Sequence, residues 1–595
     1  MRDVVIFIMN KLILKINFFK KTASIFFFLA FGSACGGGNN MTSLSQTNSV
    51  PIPPSQNPPT EMSTNMGTEF SEVSALSGMN VQFDTPLLSN QEVAFIFPHG
   101  VASGDYDNDG DIDLFIAKAD RSANHLFRNI GNMTFEDVAL EAGVAFNRSD
   151  TETYYHGSPA FVDLNEDGNL DLLIPGLEQE PTLVFLSNGD ETFTDVSAGT
   201  GLDEMNASYS HSPAFGDYDL DGDLDLFFGH WGTPRDFDNV GDTEHLWRND
   251  SDETGVKFTS VSLEAGIAPV ILTNEDPLIT QRGFDYTFTP TFARVNEDSW
   301  PDILIVGDFG FSQVFINQKD GTFTNETDFE VIIDGNGMGS AVGDYDNDGD
   351  MDWFVSSILA RLSEDSPERD QDQIPSTLSE IGNRLYRNNS GTFEDVTVEM
   401  GVDNGGWGWG SCFIDFENDG DLDLYHTNGW NLQEFGDFLN DESRAFISNE
   451  AGQFVNQAQD LGLNDMEQGR GIVCDDFDND GDIDILQLHR NNLNAISLWQ
   501  NDYDGPNGYL KVSLEGDAPN TQAIGARISI LVDDITYVKD VTLGSNFASH
   551  NSLVQHFGLG EASSITSLTV VWPNGEETQL SSVAINQMIT ISQSD

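Results

Sequence analysis

Short apolar runs alternate with acidic turns along most of this chain. Seven times an apolar stretch leads into a D-x-D-x-D-G-x-x-D pattern or a damaged copy of it, and a second apolar run follows at once. In the first copy Asp105 to Asp113 is followed by Leu114-Phe115-Ile116. Apolar runs this short, bounded by turn residues, predict buried strands on either side of a loop. Two more strand signals follow each loop. One is an apolar–aromatic stretch ending in Asn, such as Leu126-Phe127-Arg128-Asn129 or Leu385-Tyr386-Arg387-Asn388. The other is Phe-x7-Gly, as in Phe135 with Gly143, Phe193 with Gly201 and Phe258 with Gly266. Four strands per unit is the content of a propeller blade. The loops begin at Asp105, Asp163, Asp217, Arg294, Asp344, Asp415 and Asp476, and repeats 50 to 77 residues apart predict one blade each.

The seventh unit lacks its last strand. That strand signal stands instead ahead of the first loop, as Phe70-Ser71-Glu72-Val73 with Gly78. The N-terminal strand is therefore expected to complete the last blade beside Leu498 to Asn501, which removes the open sheet edges of a linear array. After about Tyr503 the acidic loops stop and alternation takes over, as in Ala526-Arg527-Ile528-Ser529-Ile530-Leu531 and Ser567 to Trp572, with a hairpin signal at Asn574-Gly575. The expected fold is all-β: a seven-bladed β-propeller over 67–502, then a small antiparallel β domain over 503–595.

Composition narrows the function. Lys plus Arg number 25 against 98 Asp plus Glu, a net charge of −73. Such a body repels nucleic acid and other polyanions. Apolar residues make up 38% with 42 Phe, so the acidity does not imply disorder. Three cysteines, Cys35, Cys412 and Cys474, form no disulfide framework or zinc site, and leave open whether Cys412 and Cys474 are bridged or are two buried thiols.

The first 34 residues read as a signal peptide: Lys11, Lys15, Lys20 and Lys21 precede a short apolar stretch from Ser24 to Ala34. Gly32-Ser33-Ala34-Cys35 resembles a lipobox, with Gly32 where Leu is usual, and Cys35 is the expected lipidation site. The other reading is simple secretion. Residues 35–66, rich in Gly, Asn, Ser, Thr and Pro, read as a flexible tether. The membrane is then met only through the lipid, and the expected location is the outer membrane or cell surface.

The loops carry the chemistry. Ca²⁺ takes six to eight oxygen ligands, and alternate positions 1, 3 and 5 turn side chains inward while Gly at position 6 reverses the chain. About six sites are expected. Their candidate ligands are Asp105, Asp107, Asp109, Asp111 and Asp113; Asp163, Asn165, Asp167, Asn169 and Asp171; and Asp217, Asp219, Asp221, Asp223 and Asp225. The later loops offer Asp344, Asp346, Asp348, Asp350 and Asp352; Asp415, Glu417, Asp419, Asp421 and Asp423; and Asp476, Asp478, Asp480, Asp482 and Asp484. An EF-hand would need Glu at position 12, where the first loop has Ile116 in a strand-like run. In the fourth loop Arg294 and Ser299 replace positions 1 and 6, so a guanidinium paired with Asp298 and Asp302 is expected in place of a cation.

With these loops in hand, residues 67 to 502 resemble FG-GAP/VCBS repeats. Asn520 with Ile524-Gly525-Ala526-Arg527, His556-Phe557-Gly558-Leu559-Gly560 and Trp572-Pro573-Asn574-Gly575 resemble the ASPIC/UnbV domain. The resemblance to the cartilage acidic protein-like family implies an extracellular calcium-binding surface or matrix protein. His556 and Arg527 read as structural, since no nucleophile is spaced beside them. Six residues before each loop, the inner strands begin at one axial mouth. There His99, His211, Trp409 and Arg470, with His156 one position off, form a candidate ligand face for a protein or glycan. The competing readings are a channel plug, or a polysaccharide lyase or hydrolase using His99, His156, His211 and Arg470.

Overall fold

In the computed structural model, described for residues 70–79, 81–83, 99–236, 239–268, 283–296, 298–310, 312–359, 382–430, 438–449, 451–490 and 495–594, each repeat folds as a four-stranded antiparallel sheet. The signal-peptide, tether and Cys35 assignments lie outside the described residues. In the first sheet Gly100–Gly104, Asp113–Ala117, His125–Asn129 and Phe135–Asp137 run from the axis outward. The two inner strands are buried along their whole length, which is why they read as continuous apolar runs. The outermost strand buries only its Phe and turns its acids to solvent.

Neighbouring sheets share cores. Phe115 and Leu126 of the first pack with Phe161 and Phe185 of the second. Leu173 and Val184 of the second pack with Phe215 and Trp247 of the third, and the same holds for the third with the fourth, the fourth with the fifth and the fifth with the sixth. The seventh sheet joins the first through Val473, Leu486 and Leu498 against Val101 and Leu114. The chain is an all-β propeller with seven such sheets among the described residues.

Two repeat signals gain a cause here. In four outer strands the Phe donates its N–H to the turn that ends the preceding sheet: Phe135 to Ser77, Phe193 to Ala142, Phe258 to Thr200, Phe323 to Ala265. The Gly beside that turn sits at positive φ, +89° at Gly201, where a Cβ would meet the Phe258 carbonyl. In four of the sheets the Asn near the end of the third strand stitches loops together. Asn129 donates its N–H to Asp113 and its amide to Phe477 O of the seventh sheet at 2.8 Å. Asn317, Asn388 and Asn501 reach the neighbouring sheet's Tyr218, Val295 and Phe416 in the same way.

Phe70–Glu72 pairs with Ile496–Asn501, Phe70 opposite Asn501, and completes the seventh sheet. The C-terminal unit packs Gln555–Gly558, Tyr509–Glu515 and Gln587–Ser592 against a sheet of Ile535–Asp540, Arg527–Val532, Ile565–Val571 and Glu577–Val583. Leu510, Ile528, Leu568, Trp572 and Ile591 fill the space between them. Pairing is antiparallel except between Tyr509–Glu515 and Gln587–Ser592, which run parallel because the last strand is reached from the other sheet.

Because the closing strand holds both ends of the ring, deleting residues 1–78 should lower the thermal midpoint of the propeller far more than deleting residues 36–66. Equal midpoints for the two truncations would show that the ring does not need this strand.

Candidate metal centres and the filled channel

Each acidic loop is held by its own carboxylates. In the first, Asp105 accepts the N–H groups of Asp109 at 3.0 Å and Gly110 at 2.9 Å. Asp113 accepts those of Tyr106 at 3.1 Å and Asn129 at 2.8 Å. Asp344 with Asp352, Asp415 with Asp423 and Asp476 with Asp484 repeat the arrangement. Positions 1 and 9 thereby fix the turn, and their carboxylates also take part in the convergence of acids on its hollow.

Convergence is tightest in four loops. Ligand atoms of Asp105, Asp107 and Asp113 lie within 4.8 Å of one another, as do those of Asp217, Asp219 and Asp225, of Asp344, Asp346 and Asp348, and of Asp476, Asp478 and Asp484. Buried carboxylate oxygens of Asp107, Asp217, Asp219, Asp223, Glu417 and Asp478 have no hydrogen-bond partner. An anionic oxygen buried without a partner is costly, and a divalent cation is the group that satisfies several at once. Burial, reinforced by neighbouring carboxylates, pushes Asp113 up to about 9 and Asp217 up to about 7. Asp415, Asp423 and Asp484 are raised well above the ordinary range for the same reasons. These residues fit calcium: bound there, the ion would supply the positive charge that lets the acids ionise together.

The second loop is arranged differently. Asn165 and Asn169 spend their amides on Asp167 at 3.0 and 2.8 Å, and Thr521 donates to Asp163 from the C-terminal unit. In the fourth loop Arg294 does not pair with Asp298 and Asp302 as expected. Its Nη2 donates to Gly525 O at 2.6 Å, while Asp298 pairs with Lys319 at 3.0 Å and Asp302 accepts the N–H groups of Val295 and Asn317. The side chain turns out of the loop because the docked C-terminal unit offers it a carbonyl and the charge of Asp540.

That docking is the feature sequence reasoning missed. The C-terminal unit sits on the metal-loop side. Leu559 and Gly560 donate to Asn418 O at 3.0 and 2.8 Å, His556 Nε2 meets Gly481 O at 2.9 Å, and Lys511 Nζ lies 2.7 Å from Asp476 Oδ2. Arg527 grips Asp540 at 2.6 and 2.8 Å and reaches Gly349 O. His556 and Arg527 thus hold the interface.

From this unit the segment between Val541 and Ser552 enters the axis. Leu543 O accepts the Phe215 N–H at 2.7 Å, Asn546 donates to Ser340 O at 2.8 Å, and Ser549–His550 adds a parallel strand to Val101 and Ala102. His550 contacts Pro159 O and Pro213 O, each at 2.8 Å. Phe547 lands among His211 (4.9 Å), Trp409 (5.0 Å) and Phe288 (5.4 Å), ring centroid to ring centroid, and the Arg470 guanidinium lies 3.9 Å over Trp409. Register shifts between Thr287 and Thr289, Gly408 and Ser411, and Gly469 and Ile472 flank Phe288, Trp409 and Arg470.

The expected ligand face is therefore corrected. His211, Trp409 and Arg470 do meet at the axis, but Phe547 of the same chain covers them. His99, His156, His211, Trp409 and Arg470 are 0–2% exposed. His99 stacks on Phe83 and accepts the Ala119 N–H, and His156 bridges to Gly176. Burial holds His99, His156 and His211 down at about 3, so they are neutral. Trp407 stacks on Trp430 at 4.9 Å and does not face solvent. The run Gly544 to Ser552, small and polar inside an alternating β domain, was the available signal for the plug.

A family model for FG-GAP-like repeats matches residues 105–174, 294–355 and 376–426, and one for ASPIC and UnbV matches 516–595. Among curated proteins the chain is similar to cartilage acidic protein 1 of Xenopus tropicalis, 24% identical over 248 residues covering 40% of this chain and 33% of that protein. It is also similar to cartilage acidic protein 1 of Homo sapiens, 28% identical over 120 residues covering 20% and 17%. The chain thus matches a third or less of the length of these relatives. Solved structures with some likeness include an Agrocybe aegerita lectin recognising non-reducing terminal N-acetylglucosamine, 15% identical with a TM-score of 0.37 over 61% of this chain and 79% of that one. A Xanthomonas campestris gluconolactonase is 9% identical with a TM-score of 0.27 over 70% and 94%.

Two outcomes follow from the geometry. Calcium chelation should lower the melting temperature sharply and change tryptophan emission as Phe547 leaves Trp409; an unchanged melting curve in excess chelator would refute metal dependence. Phe547→Ala should cost about 3–5 kcal/mol in chemical denaturation, as for other buried Phe truncations, without altering calcium stoichiometry. A cost near zero would mean that the segment does not seat in the channel.

Proposed function

We propose, from the premise that this chain is an FG-GAP-repeat β-propeller with a C-terminal ASPIC/UnbV domain, that it is an exported calcium-binding surface protein that captures a protein or glycan ligand. The observation that carries the reading is the set of buried, unpartnered carboxylate oxygens gathered in successive loops. Such loops order a rigid body only where calcium is plentiful, as it is outside cells. The sequence features of the N-terminus support export and anchoring through Cys35. The curated relatives carry the name cartilage acidic protein 1, which fits an extracellular matrix setting.

With the axis filled, capture falls to the outer surfaces of the propeller and of the C-terminal unit. The alternative, a polysaccharide lyase or hydrolase, relied on His99, His156, His211 and Arg470. Those groups are covered, and the three histidines are held neutral by burial. Neither the matched family models nor the curated relatives carry the name of an enzyme.

The purified chain, loaded with calcium, should bind selected members of a glycan and surface-protein array and lose that binding in chelator. The Phe547→Ala protein should bind the same members. Turnover of any polysaccharide in a parallel panel would overturn the binding reading in favour of an enzyme.

A further inference from the structure

At most junctions between adjacent inner strands the repeat places a small residue against a large one. Three positions before their loops, four of the sheets offer Ala102, Ala160, Ala214 and Ala341. Two positions before the next loop the neighbour offers Phe161, Phe215, Phe292 or Phe413. Each pair shares one apolar cluster. The one-residue offset has a geometric cause. Successive side chains of a strand point to opposite faces, and in a ring of sheets those faces look at opposite neighbours.

At the junction of the sixth and seventh sheets the same two positions are Cys412 and Cys474. Cys412 lies in Gly408–Ile414 and Cys474 in Gly469–Asp475. Both are buried, and their Sγ atoms lie 2.6 Å apart. Two thiols occupy far less volume than a methyl and a phenyl ring, and close packing does not tolerate the deficit. Around the pair are Asn546, whose Oδ1 is 3.7 Å from Cys412 Sγ, and Asn551, which accepts the Cys474 N–H at 3.1 Å. Both belong to the segment that fills the channel.

We propose that Cys412 and Cys474 form a disulfide that ties the inner strand of the sixth sheet to that of the seventh, before the C-terminal segment enters the channel. The seventh sheet is the composite one, finished by Phe70–Glu72 at its outer edge. The bond fastens its inner edge, so the sheet where the ring closes is held on both sides. In forming it, each cysteine gives up its thiol proton. The two electrons pass to the disulfide of an exchange partner, a thiol–disulfide oxidoreductase or oxidised glutathione, which leaves as two thiols after a mixed-disulfide step. The cavity beside the pair holds about 160 Å³ and is roofed by Lys539, His550 and His556, too small for a protein oxidant. Oxidation therefore precedes docking. Both sulfurs are buried, with Asn546 and Asn551 of the seated segment against them, so exchange is slow once the unit has docked.

The test uses the full chain folded in an oxidised glutathione buffer, then denatured in urea with a maleimide and no reductant. Peptide mapping keeps Cys35 separate. Labelling at Cys412 and Cys474 should fall from two thiols per chain to none, with one cross-linked peptide pair lighter by two hydrogens than the reduced peptides. In the native protein a phosphine reductant should leave the pair intact, and it should release both thiols once urea is added. Cys412→Ala restores the alanine that other junctions carry. It should fold, leave Cys474 labelled, and melt lower than the oxidised parent but level with the reduced one. Full labelling of both cysteines in the oxidised parent would overturn the proposal. So would equal melting of its oxidised and reduced forms.

Discussion

Mutual repulsion of carboxylates in the loops is the constraint on which the rest of this structure turns. Six of the seven loops have Asp at positions 1 and 9 to bind their own backbone N–H groups, so those acids are fixed in place. In four loops the position-1 acid lies within 4.8 Å of two other loop carboxylates, and several buried oxygens lack any donor. A peptide chain has no way to relieve this from within except by protonation or by a cation. The same loops carry the inter-sheet stitches, since Asn129, Asn317, Asn388 and Asn501 each reach the neighbouring loop. Loop order and ring order are therefore one property. Where the repeat has Arg294 at position 1, the side chain is not paired within the loop but turned outward to the C-terminal unit.

The C-terminal unit answers the same charge problem from outside. Basic residues are scarce in a chain of net charge −73, yet Lys511, Arg527 and Arg294 all work at this one interface, and Lys539 borders its cavity. Most of its hydrogen bonds go to loop carbonyls rather than to the convergent carboxylates: Asn418 O, Gly481 O, Glu417 O and Gly349 O. Backbone carbonyls are what a metal-ordered loop presents in fixed positions while its carboxylates face inward. Docking and loop order mostly use different atoms; the exceptions are Asp476, where the Lys511 ammonium takes one carboxylate oxygen, and Asp163, which accepts from the Thr521 hydroxyl.

Much of this was legible in the chain because it repeats. The seven loops, the four strands per unit and the displaced strand at Phe70 follow from local pattern and from counting. The resemblance to ASPIC/UnbV also stood on quoted residues, and the family match over 516–595 supports it. The alignment of His211, Trp409 and Arg470 on one axis was likewise readable, because equivalent positions in a ring must converge. What lies on that axis was not readable. Phe547 is far from those residues in sequence, and the small, polar run Gly544 to Ser552 marks a connection without saying where it goes. The Arg294 expectation failed for the same reason: a loop considered alone offers Asp298 and Asp302, while the docked unit offers Gly525 O and Asp540. Local reasoning supplied the parts with internal symmetry and missed the single asymmetric insertion.

That insertion changes what the propeller is suited to do. An open axial mouth lined with His, Arg and Trp is a concavity in which polar groups meet a ligand. Filled by Phe547, it is a core, and the same residues become packing partners: a neutral imidazole against an aromatic ring, a guanidinium over an indole. Desolvation keeps His99, His156 and His211 uncharged, which removes the acid–base capacity that made them interesting. The filled axis also makes the molecule more of one piece. A strand of the C-terminal unit hydrogen-bonds to the first sheet, and His550 touches the second and third. Shearing the ring open then requires withdrawing the plug. A body built this way has its axial mouth filled and gains resistance to deformation.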